Sequence, residues 1–489
     1  MKTNRRSFFK IAGVAGAAAL VGPALNSCTT GAKGEESGPF AAIKAAADKL
    51  HTQKFNMSGF AAPKIDIVRV GVIGLGSRGP GAVERLSKID GVEIKALCDK
   101  LPDRVDKAQK ILENNGLPAA KGYTGTPEVW KELCQSKELD LVYITTPWEF
   151  HTPMAVFAME NGKHAVSEVP AATTLDEAWQ LVETSEKTKK HCMMLENCCY
   201  DFFELLTLNM VRQGFFGELV HAEGAYIHDL RSLNFDKNGY VDMWRLRQNQ
   251  KRKGDLYPTH GLGPVCQALN INRGDRMDYL TSVSTNDFMM AQMAEELAKS
   301  DSFYNEFVTK GYRGNMNTTV IRTEKGKTIM VQHDVTSPRP YSRIHLISGT
   351  KGVAQKYPEP GRIANAHEWF DEAKMKEIEV QYTPEIVKRI GELAKQIGGH
   401  GGMDFMMDWR LIDCLRNGLP LDEDVYDAAL WSSIAPLGEW SVANRSNSIN
   451  VPDFTCGSYK SNNPVDITLS KGGNTGVRAN AKSGNQLNL

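Results

Sequence analysis

The spacing of apolar positions changes once along this chain, near residue 196. Before that point short apolar runs alternate with stretches of helical periodicity. A run at 68–73 precedes a helical segment at 82–88, and a run at 92–98 precedes one at 102–115. Thr126-Pro127-Glu128 opens a further helix; strands at 139–146, 163–168 and 191–195 then alternate with helices at 154–161 and 176–189. Strands each followed by a helix imply parallel pairing with helical crossovers. Beyond residue 196 a helix at 202–213 leads into runs with strand alternation at 219–227, 280–284, 317–323, 328–334 and 343–348, and helices at 403–416 and 423–445 follow. Alternation of that kind predicts a mixed or antiparallel sheet with one open face. The expected fold class is α/β, a doubly wound parallel sheet joined to a C-terminal α+β domain with an open-faced mixed sheet.

The turn after the first strand carries candidate chemistry. The run containing Val70, Val72 and Ile73 ends in Gly74-Leu75-Gly76-Ser77-Arg78-Gly79, and a helix-compatible segment follows. Strand, glycine turn and helix in that order form the dinucleotide fingerprint of a Rossmann-type domain. Gly74 permits the tight turn, Gly76 the approach of a pyrophosphate and Gly79 the packing of helix on strand, while the helix start offers N–H groups to phosphates. The second strand ends in Asp99, 20 residues after Gly79, where a carboxylate binds ribose hydroxyls and repels a 2'-phosphate. NAD is therefore expected rather than NADP, with Arg78 and Arg104 the cations nearby.

Composition narrows the classes of function. Over 489 residues, 58 Lys and Arg balance 58 Asp and Glu, and no basic stripe with interleaved aromatics occurs, which argues against a nucleic-acid partner. Nine cysteines include no C-x-x-C pair and no zinc spacing; they read as buried thiols, and no metal is expected. Arg5-Arg6 before a mild Ala- and Gly-rich run has the form of a twin-arginine export signal, and Leu25-Asn26-Ser27-Cys28 that of a loose lipoprotein box. Residues 1–28 are assigned to that signal, with Cys28 the candidate lipid-bearing residue and simple cleavage the alternative. Residues 29–63 read as a linker with a short helix at 41–50, 64–196 as the NAD-binding domain and 197–455 as the substrate-binding and catalytic domain. The tail, 456–489, is expected to be poorly ordered beyond Thr468. Export in the folded state implies the periplasm or a membrane-anchored lipoprotein, and the open sheet face is a candidate surface for a second copy of the chain.

Further candidates sit where strands end, the edge at which doubly wound sheets bind ligands. One strand runs into Trp148-Glu149-Phe150-His151 and the next into Glu168-Val169-Pro170. In Tyr257-Pro258-Thr259-His260, the histidine suits proton transfer near neutral pH, or caps a helix starting near Gly261. His151 reads equally as a helix-start residue, and Tyr226 and Arg245 by themselves as a strand tyrosine and a surface arginine. His221, His228, His333 and His345 lack metal-ligand spacing. Gly398-Gly399-His400-Gly401-Gly402 is either a loop at the site or a turn.

Together these motifs resemble a known family. A dinucleotide-binding domain whose sheet carries a strand reading x-E-x-P, followed by an open-faced sheet, resembles the glucose-fructose oxidoreductase and inositol dehydrogenase family. That family has Glu-Lys-Pro there, the lysine serving as base near the nicotinamide; here Val169 takes its place. The leader together with G-L-G-S-R-G, T-T-P-W-E-x-H, S-E-V-P, E-N-C-C-Y and Y-P-T-H-G-L-G-P resembles a narrower branch, the NAD-dependent α-N-acetylgalactosaminidases of glycoside hydrolase family 109. The resemblance implies cofactor contacts at Ser77, Arg78, Asp99, Trp148, Glu149, Phe150, His151, Glu168, Val169 and Asn197. It implies sugar contacts at Tyr226, Arg245, Tyr257, Pro258, Thr259, His260 and Tyr341. The implied activity is hydrolysis of terminal α-linked N-acetylgalactosamine by a redox-neutral route: oxidation at C3, proton loss at C2, departure of the aglycone from C1, addition of water and reduction, so that tightly bound NAD is recycled. His260 is the first candidate for the proton work and Tyr257 the second. The wider family has an aspartate four residues before the matching histidine, and Asp255 stands one residue off that place. The alternative is an NAD-dependent sugar dehydrogenase of the wider family.

Overall fold

The computed structural model describes residues 39–309 and 311–478; Arg5, Arg6, Cys28 and residues 479–489 lie outside them. Six parallel strands form the first sheet: β1 (Val68–Ile73), β2 (Val92–Cys98), β3 (Lys121–Tyr123), β4 (Leu141–Ile144), β5 (His164–Ser167) and β6 (Cys192–Met194), in the order β3-β2-β1-β4-β5-β6. β1 and β4 are almost wholly apolar, and these strands and β5 are buried, because helices cover both faces of the sheet. The strand order reverses between β1 and β4, and a crevice opens at their carboxyl ends. The helix expected from Thr126 starts only at Trp130. The N–H groups of Val129, Lys131 and Glu132 bond to the carbonyls three residues back, so the entry is a tight turn rather than α-helix.

The second sheet comprises β7 (Leu219–Ile227), β8 (Met277–Ser284), β9 (Asn317–Thr323), β10 (Thr328–Asp334), β11 (Leu346–Gly349), β12 (Val353–Gln355), β13 (Arg362–Ala364) and β14 (Ile449–Asn450). Its order is β13-β12-β11-β7-β10-β9-β8-β14, with β7 and β10 parallel and the other pairs antiparallel. The strand expected at 343–348 begins at Leu346, because Ile344 and His345 adopt φ of 58° and 44°, which breaks the extended backbone. Helices Thr259–Leu269 and Val425–Ala443 pack on one face. The other leaves Tyr279, Val283 and Val320 exposed.

Helix Met403–Asn417 packs on helix Gly79–Ser87 and β1, and helix Val425–Ala443 on helix Leu175–Thr188 and β6. The C-terminal part thereby returns to cover the first sheet. The tail is better ordered than expected as far as residue 478. Thr475 is buried and its carbonyl accepts from Trp409 Nε1 at 3.0 Å, and Val477 bridges to Ile89. Asp413, fully buried, accounts for this order by taking hydrogen bonds from Gly473 and Thr475. Among the described residues eight cysteines are free and seven of them buried, and no helix is long and apolar enough to cross a membrane.

Candidate active site

A cleft of about 470 Å³ opens at the reversal point of the first sheet. The glycine turn, Asp99, the loop Trp148 to His151, Glu168 and Val169 line it from one side, and Tyr240, Trp244, Arg245 and Tyr257 from the other. Gly74 has φ of 92°. A Cβ on Gly79 would lie 2.1 Å from the Gly74 carbonyl oxygen, so only glycine lets the helix start here. Gly76 and Ser77 line the cleft, and no side chain caps the helix start at Arg78, which leaves first-turn N–H groups for an anion. The Asp99 carboxylate is fixed by the N–H groups of Leu75 (2.8 Å) and Leu101 (3.0 Å). A cradle closed to any Cβ, an open helix start and a fixed carboxylate one strand away fit an adenine dinucleotide.

Arg78 lines the cleft. Its guanidinium pairs with Glu168 at 2.9 Å and Asp404 at 3.3 Å. Trp148 packs edge-on against Trp244 (5.0 Å between centroids) and stacks on Tyr257 (5.7 Å). Glu149 and the half-exposed Phe150 form the rim of the cleft. His151 is 1 % exposed, and its two ring nitrogens lie 2.7 Å from the carbonyls of Pro170 and Thr146. It ties two strand-end loops together and shapes the cleft through them.

Next to this cleft the structure gathers Tyr226, Tyr257, His260 and Tyr341. The His260 ring lies 4.9 Å from Tyr257 and 5.2 Å from Tyr226, and Tyr341 stands edge-on to Tyr226 at 6.3 Å. Arg245, buried, sits 4.9 Å over Tyr257 and donates to the Tyr240 hydroxyl at 3.0 Å. Pro258 and Thr259 begin helix Thr259–Leu269, so His260 occupies a first helical turn as well as the site. Burial pushes the Tyr257 phenol well above its usual range, against the pull of Arg245, which makes it a hydrogen-bond donor rather than an anion.

His260 takes its partner from outside the expected set. Its Nδ1 lies 2.6 Å from Oε1 of Glu196, a fully buried carboxylate just past β6. Burial opposes ionisation of Glu196, but His260, Thr259 and the Cys198 N–H outweigh it and hold the group below its usual range. Asp255 instead accepts from the Tyr257 N–H at 2.8 Å, and burial raises it to about 7. Glu196, Cys198 and His260 bring potential ligand atoms within 4.8 Å of one another. In this structure Glu196 and His260 are joined by a direct hydrogen bond.

His400, from the loop that reads as either a site loop or a turn, joins the site, and with it His228 and Asp404, which were not singled out for it. His228 stands edge-on to Tyr341 at 5.2 Å. Asn197 donates through Nδ2 to Asp404 Oδ1 at 2.5 Å, and His400 Nδ1 lies 3.0 Å from the same carboxylate. The local signals were a carboxylate at the end of the last parallel strand, in E-N-C-C-Y, and a histidine flanked by four glycines.

Two family models match along the chain. Residues 68–196 match the oxidoreductase family, NAD-binding Rossmann fold, and residues 200–461 the glycosyl hydrolase 109 C-terminal domain. A glycosyl hydrolase family 109 protein of Bacteroides fragilis strain YCH46 is 48% identical over 458 residues, 90% of this chain and 96% of that one. The chain belongs to glycosyl hydrolase family 109. Another relative in that species, an alpha-N-acetylgalactosaminidase, is 51% identical over 407 residues, 82% of this chain and 95% of its own. Among solved structures, an NAD binding oxidoreductase from Klebsiella pneumoniae superposes with a TM-score of 0.61 at 16% identity, covering 79% of this chain and 99% of that one; it shares the fold. The chain is thus a family 109 enzyme built on an NAD-binding oxidoreductase scaffold.

Proposed function

We propose that this enzyme hydrolyses terminal α-linked N-acetylgalactosamine without net oxidation, holding NAD through many turnovers. The observation that carries this reading is the Glu196–His260 pair, a buried carboxylate on a histidine at 2.6 Å, beside a cleft in which Val169 replaces the lysine of the related dehydrogenases. The alpha-N-acetylgalactosaminidase at 51% identity supports the choice of sugar. A bound nicotinamide supplies reversible acceptance of a hydride from a sugar carbon. His260 Nε2, the nitrogen that Glu196 leaves free, takes the proton from the adjacent carbon, and the carboxylate stabilises the imidazolium that forms. Tyr257 donates a hydrogen bond to the sugar, and Tyr226, Arg245 and Tyr341 wall the ring. Two carboxylates flanking the glycosidic bond are not required, because departure of the aglycone follows from proton loss at the neighbouring carbon.

Retention of the nucleotide is supported by residues 239–245, which add Tyr240, Trp244 and Arg245 to the wall opposite the glycine turn. We also propose export by the twin-arginine route with Cys28 as lipid anchor, and association of two copies through the face bearing Tyr279, Val283 and Val320. Palmitate labelling of cells and light scattering of the purified protein test these. The activity is tested with a nitrophenyl α-N-acetylgalactosaminide and no added NAD. Release without accumulating reduced nicotinamide is expected, with NAD found by mass spectrometry of the purified protein. No release even when NAD is supplied refutes the reading, and sustained NADH formation from free sugars identifies a dehydrogenase instead.

A further inference from the structure

A second histidine–carboxylate pair stands beside the first. Residues 398–402 read Gly-Gly-His-Gly-Gly, and all five have positive φ, with His400 itself at 45°. A non-glycine residue is strained in that region, so the surrounding fold holds His400 there against its preference. The turn directs the ring at Asp404, in the first turn of helix Met403–Asn417, with Nδ1 3.0 Å from both carboxylate oxygens. Arg78 and Asn197 also bond to that carboxylate. Burial opposes its ionisation, and His400, Arg78 and Arg85 overcome this and hold it well below the usual carboxylate range. Every hydrogen bond of the His400 ring among the described residues runs through Nδ1.

The two pairs are joined through consecutive residues. Glu196 holds His260, and Asn197 bonds to the carboxylate that holds His400. They differ in access: the His260 side chain is 13% exposed and that of His400 52%. Arg78, which lines the nucleotide cleft, lies 3.4 Å through Nη1 from His400 Nδ1, so His400 stands at the edge of that cleft. An enclosed base suits a sugar ring buried in the site. A half-exposed acid suits an aglycone, which must protrude into solvent when it is the rest of a glycan.

We propose that His400 is the acid that protonates the departing aglycone, with Asp404 as its positioning residue. The inference rests on the glycosidase reading above. A bound nicotinamide would supply the hydride acceptance that, with the O3 proton released to solvent, leaves a carbonyl at C3; once His260 has taken the C2 proton, the electron pair left on C2 forms the C1=C2 bond. The C1–O1 bond breaks, its pair stays on O1, and O1 takes the proton from His400 Nε2. In the return direction a water oxygen bonds to C1, its proton passes to the neutral His400, and C2 regains its proton from His260.

The test uses His400→Gln in the full-length enzyme with two α-N-acetylgalactosaminides, one with a nitrophenyl and one with an alkyl leaving group. A nitrophenolate departs without protonation, whereas an alkoxide does not. General acid catalysis contributes about 10²–10⁴-fold, so the variant should lose about a thousandfold in kcat/KM on the alkyl glycoside and less than about tenfold on the nitrophenyl one. Recovered alkyl substrate should still gain deuterium at C2 in heavy water, and bound NAD measured by mass spectrometry should match the wild type. Equal losses on both glycosides, loss of C2 exchange together with hydrolysis, or loss of bound NAD overturns the inference. A wild-type enzyme showing neither hydrolysis nor exchange overturns the glycosidase reading, and this inference with it.

Discussion

Replacing Glu196 with Gln separates the charge of the His260 partner from its shape. The amide oxygen can still accept the Cys198 N–H that Oε1 now accepts at 3.1 Å, so the turn after β6 keeps its backbone hydrogen bond. Glu423, whose carboxylate accepts the Glu196 N–H at 3.3 Å, is pushed well above its usual range by burial and then by Glu196, so the substitution strands no opposite charge. What disappears is the ionic part of a 2.6 Å hydrogen bond in a buried setting. Such a bond contributes about 1.5–3 kcal/mol, and at about 1.36 kcal/mol per tenfold the proton-transfer step should slow by roughly ten- to 150-fold. The assay is kcat on the nitrophenyl glycoside together with deuterium uptake at C2, with bound NAD measured on the same preparation. Both rates should fall together while NAD content and melting temperature stay near wild type. A change under about threefold refutes the assignment of Glu196 as the His260 partner, and a loss confined to KM places Glu196 in sugar binding instead.

Other substitutions test the remaining parts. Gly79→Ala puts a Cβ 2.1 Å from the Gly74 carbonyl and 3.1 Å from Thr145 Oγ1, neither able to move far; it should cost about 1–3 kcal/mol in denaturant unfolding and empty the NAD site by mass spectrometry. Asp99→Asn sets an amide group against one of two backbone N–H donors, Leu75 or Leu101; the unsatisfied donor costs about 1–3 kcal/mol, and retention of NAD through gel filtration should fall by at least about tenfold. Asp255 is raised to about 7 by burial, above its unfolded value near 3.8. Its contribution to stability is therefore complete below about pH 4 and lost as pH rises toward 7. Asp255→Asn should raise the melting temperature at pH 8 but not at pH 4, and an equal effect at both pH values contradicts the assignment.

Much of the fold was legible because its signals are local. The apolar runs that became β2, β7, β9 and β10 are bounded by turn residues and long enough to show their period. The hairpin of β12 and β13 went unread because each strand has three residues, too few for a period to appear. The helices Glu372–Tyr382 and Glu385–Ile397 went unread as well, although the second is strongly amphipathic. The tail looked like a solvated low-complexity segment, but Asp413 and Trp409 supply distant partners for its backbone.

By itself the sequence determined the dinucleotide turn, the carboxylate at Asp99 and the family. Glycine geometry, helix start and strand end are set within one βαβ unit, and the family rests on motifs of a few consecutive residues. Only the tertiary structure decided which groups form the proton-transfer machinery. The carboxylate five residues before His260 turned to a backbone N–H, while the one 64 residues away reached the ring, because the short helical turn after β6, Asn197–Tyr200, packs on helix Thr259–Leu269. His400 and Asn197 are 203 residues apart and meet because helix Met403–Asn417 returns to the first sheet. A hydrogen bond needs separation and angle in space, and sequence spacing fixes neither once a chain reverses between two sheets.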